Sequence, residues 1–235
     1  AFGLGFHLEL STRPEKSIGT DEQWETATSG LASALDAYGK NYELNEGDGA
    51  FYGPKIDLHI NDALNRTWQC GTIQLDMSQP ENFNLYYIDK DNEKHRPIMI
   101  HRTVFGSIER FLGILIEHFA GKFPLWLAPV QTIVLPINDD LTDYSREISE
   151  ILTNAGLRVE VDSRTESLNK KVREAQLQYV PLILTIGGKE KEAGTLSVRT
   201  LDGNVKYGVS HQHFLDTVLP HIRNRNLSLE IFDSK

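Results

Sequence analysis

Across 235 residues the chain holds 40% hydrophobic and 24% charged residues with a formal net charge of -9, a balance that excludes disordered and fibrous classes and argues against nucleic-acid binding through a broadly basic surface. No apolar run approaches the ~18 residues that span a bilayer, and no basic-then-apolar signal opens the chain, so no membrane or export role is expected. A single cysteine, Cys70, rules out an internal disulfide framework and suits a reducing compartment, with the cytoplasm as the default.

The chain starts at Ala1-Phe2-Gly3-Leu4-Gly5 without a methionine and enters the alternating Phe6-His7-Leu8-Glu9-Leu10 at once. That reads as a strand already under way, and it predicts that further chain precedes it. After the turn at Arg13-Pro14 a helix is predicted, capped by Thr20 or Asp21, with Trp24, Ala27, Leu31, Ala34 and Leu35 on its apolar face and Gly39 ending it. Segments 42–44, 56–60 and 67–75 read as antiparallel strands separated by turns, the cluster Asn45-Glu46-Gly47-Asp48-Gly49 among them. A strand at 98–100 then leads into a helix in which Ile108, Phe111, Leu112, Leu115, Ile116 and Phe119 form an apolar face running to Gly121. The stiff, proline-bounded segment 123–129 marks a boundary, giving predicted domains 1–128 and 129–235.

Beyond it the order is strand 132–137, helix 141–155, strand 158–161, helix 167–178 and strand 182–186. A hairpin of 196–200 and 205–207 turns at Asp202-Gly203-Asn204, and a helix over 211–222 closes the chain. Strands alternating with helices imply an α/β domain with parallel neighbours and covered faces. Residues 1–130 carry 11 Lys+Arg against 18 Asp+Glu, and the remainder 13 against 15, so any RNA contact has to be local and shaped.

Three stretches offer chemistry. In Gly47-Asp48-Gly49-Ala50-Phe51-Tyr52-Gly53-Pro54-Lys55-Ile56-Asp57, glycines let backbone approach a ligand, Tyr52 offers a hydroxyl and Lys55 a point charge. Taken alone it is more readily a structural turn. In Arg66-Thr67-Trp68-Gln69-Cys70-Gly71-Thr72-Ile73-Gln74-Leu75-Asp76, Thr72 and Gln74 share a parity and would line one wall, although a solvated strand face is the commoner meaning. Cys70 has the parity opposite to Gln69. Third, Arg110 lies one turn into an apolar helix face, where burying a guanidinium without an anion is costly. A helix beginning at Gly106-Ser107 adds backbone donors suited to phosphate. The alternatives there are a salt bridge for Arg110 and a satisfied core histidine for His101.

Together these stretches resemble threonyl-tRNA synthetases over essentially the whole chain. The wording at 49–57 and 68–76 is particular to that family, and the block at 106–117 is similar to motif 3 of class II synthetases. The resemblance implies an α+β antiparallel class II sheet with helices, followed by a small α/β anticodon-binding domain with a mixed sheet. It implies a ligase that activates threonine with ATP and esterifies threonine tRNA. Arg110 matches the arginine on the γ-phosphate, with Ser107 beside it at the adenylate. Tyr52 matches the contact to the substrate amine, and Lys55, Gln69, Thr72 and Gln74 line the same pocket. His101 matches one ligand of a catalytic zinc whose other ligands lie upstream, and Mg2+ accompanies ATP. Glu190 and Arg199, with Arg173 and Lys189 nearby, match anticodon contacts, a glutamate being suited to guanine's Watson–Crick donors.

The resemblance has gaps. Motifs 1 and 2 are missing, the first building the homodimer expected of a full-length member, so the stretch holds only part of an active site. Thr103, Met77 and Thr165 stand where alanine, phenylalanine and asparagine are usual. The competing reading is a catalytically inactive, synthetase-like tRNA-binding protein. The ligase reading requires His101 and Arg110 to share one cleft.

Overall fold

The computed structural model describes residues 1–231, which divide into two compact units: Leu4–His118, and the chain from Phe119 on together with Ala1–Gly3. Residues 232–235 of the second predicted domain lie outside the described residues.

In the first unit, β1 (Phe6–Ser11) is followed by α1 (Asp21–Tyr38) and β2 (Tyr42–Asn45). Thr20 caps α1 by accepting from Gln23 N, while the Gln23 side chain accepts from Thr20 N at 2.9 Å, a reciprocal arrangement that satisfies two free amides. Gly39, at φ 73°, ends the helix in the left-handed conformation. Trp24, Ala27, Leu31 and Leu35 are buried as expected, but Ala34 is exposed. The steps of three, four and four residues from Trp24 to Leu35 already define the buried stripe, and Ala34 falls off its edge.

The sheet continues with β3 (Lys55–Asn61) and β4 (Thr67–Asp76). Past the short α2 (Ser78–Asn82) and the small hairpin β5 (Tyr87–Ile88) and β6 (Lys94–His95), it ends in β7 (Met99–Thr103). Strand order is β2-β1-β3-β4-β7, all antiparallel except the β1–β2 pair, which is parallel because α1 carries the chain across. One face packs Leu8, Leu10 and Ile56 against Leu31 and Leu35 of α1, and the other face is polar. Helix α3 (Ile108–His118) buries Phe111, Ile114 and Leu115. The apolar face expected for it was too broad, since Ile108, Leu112 and Ile116 are exposed at 64%, 49% and 52%.

The second unit is a three-layer sandwich. Its elements are β8 (Thr132–Pro136), α4 (Thr142–Asn154), β9 (Val159–Val161), α5 (Leu168–Leu177), β10 (Leu182–Ile186), α6 (Gly188–Ala193), β11 (Thr195–Thr200), β12 (Val205–Ser210) and α7 (His211–Arg223). The mixed sheet runs β12-β11-β10-β8-β9, parallel at β10–β8 and β8–β9 and antiparallel at its other pairs. On one face Val134, Leu184 and Val198 pack with Ile148 and Leu152 of α4 and Phe214 and Val218 of α7. On the other, Ile133, Leu135 and Ile183 meet Ala175 and Val172 of α5. Segment 123–129 belongs to this unit: Leu125 joins its core, and the Arg158 guanidinium donates to the carbonyls of Trp126, Ala128 and Pro129.

The turn between β3 and β4 depends on one carboxylate. Asp62 accepts from the backbone amides of Leu64 and Arg66, the Arg66 Nε at 2.6 Å and the Trp68 indole at 2.8 Å. Burial opposes its ionisation, yet these donors hold its carboxyl well below the usual range. A depressed folded-state value means that the contribution is complete above the unfolded value of about 3.9 and is lost as pH falls below it. Asp62→Asn is therefore expected to flatten the dependence of thermal midpoint on pH below about pH 4 relative to wild type, followed by far-UV circular dichroism.

Candidate active site

Strand alternation brings most of the candidate side chains onto the polar face of the first sheet. Directly opposed residues share a face, and one row across the strands reads Ser11, Lys55, Gln74 and His101. The next reads Glu9, Asp57, Thr72 and Thr103, and a third His7, His59 and Gln69. Residue parity alone separates Gln69 from Thr72 and Gln74. The register shift between Leu58 and His59 pairs Leu58 with Gly71 and His59 with Gln69, leaving Cys70 as the extra residue of a bulge. That insertion turns Gln69 onto the same face as Thr72.

At the centre is Asp57, 1% exposed, which accepts from Ser11 Oγ at 2.8 Å and Gln69 Nε2 at 2.6 Å and pairs with Lys55 Nζ at 2.8 Å. Lys55 also reaches Asp48 Oδ2 at 2.9 Å. Burial alone would lower the lysine's pKa, but its bonds to Asp57 and Asp48 raise it above the ordinary value. Its charge is thus engaged by two carboxylates.

Toward β7, Tyr52 Oη donates to Gln74 Oε1 at 2.7 Å, and its ring lies 6.0 Å edge-on from His101. Burial, then the Asp76 charge, push the phenol's pKa up, partly opposed by Lys55, so Tyr52 stays a neutral donor. His101 Nε2 lies 2.7 Å from Oδ2 of Asp76, whose other oxygen accepts from Ser78 N and Gln79 N. A carboxylate on one ring nitrogen fixes the imidazole and leaves Nδ1 for a metal, the arrangement usual behind metal-bound histidines. His101 therefore fits a zinc ligand, although no trio of ligating side chains gathers around it among the described residues.

Ser107 and Arg110 form a separate group. The Ser107 hydroxyl donates to Glu109 Oε2 at 2.9 Å and accepts from Arg110 N at 3.4 Å. Contrary to expectation, Arg110 is exposed; its guanidinium lies 5.5 Å from the Trp68 ring. It needs no buried anion, because its helix position faces solvent and the indole receives it as a cation–π partner. By register Trp68 pairs with Ile60, on the side of β4 opposite Gln69. Among the described residues His101 and Arg110 have no partner in common, so their contacts do not form the shared cleft that the ligase reading requires. Burial raises the Cys70 thiol's pKa, with the Arg110 charge pulling the other way.

In the second unit the four anticodon candidates lie on three elements, Lys189 and Glu190 on α6, Arg199 on β11 and Arg173 on α5. Arg173 on α5 and Lys189 are exposed, and Arg199 on β11 makes only a 3.4 Å contact to Gly203 O. Glu190 accepts from Gly187 N at 3.0 Å. Stretch 187–190, which taken alone reads as a turn, is the first turn of α6, held by that carboxylate. Sequence reasoning passed over the Asp48–Lys55–Asp57–Ser11 network and the trio His7, Glu9 and His59. Apart from Asp48 these residues share one parity within their strands, which was the signal available; the pairing of Phe6–Ser11 with Lys55–Asn61 that joins them is non-local.

The chain matches the tRNA synthetase class II core domain (G, H, P, S and T) over residues 2–119 and an anticodon binding domain over residues 131–220. It belongs to this class II tRNA synthetase family, and a polar-faced antiparallel sheet followed by a mixed-sheet α/β unit is the corresponding fold. Its relatives within the class are threonine–tRNA ligases: it is 68% identical to that of Desulfatibacillum aliphaticivorans and 70% identical to that of Desulforapulum autotrophicum, in both cases over 98% of this chain and 36% of the relative. The chain thus spans about a third of the length of these relatives. A crystal structure of the RNA binding domain of threonyl-tRNA synthetase from Cryptosporidium parvum Iowa II superposes with a TM-score of 0.81 at 39% identity, over 98% of this chain and 57% of that one.

Gly53 shows how tightly the tyrosine loop is held. A Cβ there would stand 1.9 Å from Leu75 O, whereas one at Gly30 of α1 would meet nothing within 4 Å. Gly53→Ala is expected to destabilise the protein by about 1–3 kcal/mol, and Gly30→Ala to stabilise it by about 0.5–1 kcal/mol, both read from urea denaturation midpoints.

Proposed function

We propose that this chain is the C-terminal part of a threonine–tRNA ligase, the unit Leu4–His118 completing the class II catalytic domain and the unit from Phe119 on binding the anticodon of threonine tRNA. The observation that carries the reading is the single polar face on which Tyr52, Lys55, Gln69, Thr72, Gln74 and His101 stand together, in a chain 68–70% identical to threonine–tRNA ligases.

The reaction joins threonine to ATP, releasing pyrophosphate, and then esterifies the tRNA 3′ end. Little covalent work falls to side chains; positioning and charge stabilisation carry it. The Asp57–Lys55–Gln69 network makes a cross-linked floor in which one ammonium serves both Asp57 and Asp48. Tyr52, fixed by Gln74, presents its hydroxyl oxygen as an acceptor for the substrate amine, and Thr72 borders the same pocket. Zinc held through His101, with ligands from upstream chain, would supply coordination positions for the amine and hydroxyl of threonine. Asp76 holds that imidazole in place. Valine, isosteric but lacking the hydroxyl, would leave one position unfilled, while serine would be discriminated poorly.

Arg110 is assigned to the γ-phosphate of an ATP carrying Mg2+, with Ser107 beside the adenylate. This requires the guanidinium to leave Trp68 or carry that ring with it. In the second unit Glu190 retains one carboxylate oxygen free of its capping bond, suited to a guanine edge, with Arg199, Arg173 and Lys189 on base carbonyls or phosphate. The intact protein is proposed to work in the cytoplasm as a homodimer assembled through upstream residues. The position of Arg110 at Trp68, on the side of β4 opposite Gln69, is the observation that speaks for the inactive tRNA-binding alternative; the 68–70% identity to threonine–tRNA ligases speaks for the enzyme.

Threonine-dependent ATP–pyrophosphate exchange tests the proposal. Full-length protein containing this chain is expected to catalyse exchange, and residues 1–235 alone to show none. Arg110→Ala in the full-length protein should lower the exchange rate by about 10²–10³-fold; full-length protein inactive with threonine, or an unaffected Arg110→Ala variant, overturns the corresponding assignment.

A further inference from the structure

The polar face holds a second potential ligand set far from His101. His7 and His59 are directly opposed across β1 and β3, their rings stacked at 4.9 Å and 14°. Glu9, two residues along β1 on the same face, puts one oxygen 3.2 Å from His7 Nε2 and the other 3.6 Å from His59 Nε2. The three donor atoms lie within 4.8 Å of one another, and all three residues are half-buried. Asn45 Nδ2, from β2, donates to Glu9 Oε2 at 2.9 Å and so orients the carboxylate.

We propose that His7, Glu9 and His59 form a binding site for a zinc-type divalent transition-metal ion. Metal–nitrogen and metal–oxygen bonds of about 2.0–2.2 Å in tetrahedral geometry set neighbouring donors about 3.3–3.5 Å apart. Each histidine–glutamate separation, 3.2 Å to one carboxylate oxygen and 3.6 Å to the other, lies close to that spacing, and a small rotation of the carboxylate would bring one oxygen to both rings. Two imidazoles and a carboxylate are a nitrogen–oxygen donor set preferred by zinc, cobalt and nickel over magnesium or calcium. Three protein ligands leave a fourth position for water. The Asn45 bond is the outer-shell support that metal-binding carboxylates commonly have.

The site is distinct from the one proposed around His101. β7 lies three strand spacings from β1, about 14 Å across the sheet, and the two sites share no residue. An ion here would join β1 to β3 beside Gln69, the cross-strand neighbour of His59. Nothing in this inference depends on the ligase assignment. A protein inactive with threonine could still bind the ion, and an active one could fail to.

Equilibrium dialysis of the full chain against micromolar Zn2+ at neutral pH, with metal analysis, tests it alongside visible absorption on Co2+ titration. Wild type and His101→Gln are both expected to retain one equivalent. Glu9→Gln and the double variant His7→Gln/His59→Gln should bind about 100-fold more weakly or worse, with native far-UV circular dichroism. Unchanged affinity in the double variant, or no Co2+ band from the wild type, overturns the proposal. Should the double variant not fold, ring-nitrogen NMR of the wild type decides: Zn2+ must shift Nε2 of both His7 and His59, and unmoved signals overturn the site.

Discussion

Removing a carboxylate from water without a counter-charge costs several kcal/mol even after relaxation, and the first sheet is organised around meeting that cost at Asp57. Lys55 supplies the charge from two residues away on the same strand, while Ser11 and Gln69 supply donors from the strands on either side. Three strands are thereby joined beneath the surface on which Tyr52, Thr72 and Gln74 stand. Loss of Lys55 would leave Asp57 buried and uncompensated, so the same contacts that hold the sheet also fix the spacing of its polar face.

A sheet with one apolar and one polar face needs cover on one side only, and α1 provides it with Leu31 and Leu35. The polar side is left open to ligand. The second unit solves the opposite problem. Its central strands are apolar on both faces and are covered by α4 and α7 on one side and α5 on the other. Its functional candidates accordingly lie at strand ends, on helix surfaces and on a turn that becomes a short helix, where backbone and side chains can meet an unpaired base.

Much of this was legible in the sequence, for identifiable reasons. Strands in the first unit alternate cleanly, and those in the second are short apolar runs between helices, so period and punctuation located the longer elements, while the short α2, β5, β6 and α6 were not predicted. The likeness of 49–57 and 68–76 to a known family then named residues that composition could not. What stayed hidden was non-local. Nothing in the order of residues says that Phe6–Ser11 pairs with Lys55–Asn61, and without that pairing Asp57 has no visible donors and His7 no opposing His59. Arg110 was misjudged because an apolar helix was taken to be buried more widely than one sheet contact can bury it. Trp68, which receives its guanidinium, lies 42 positions earlier in the chain.

The bulge at Cys70 matters through its length and hardly at all through its sulfur. Cys70 is a free, buried cysteine among the described residues, so alanine or serine at this position should leave the polar face in place, and a cysteine-free version suitable for site-directed labelling is within reach. Omitting the residue altogether is another matter. Closing the gap would turn the bulge into a regular ladder, with Gln69 still opposite His59 and Trp68 still opposite Ile60, and would remove the bend and added twist that the extra residue gives β4. What the additional position supplies is therefore curvature of the strand, in a space that only a small side chain fills.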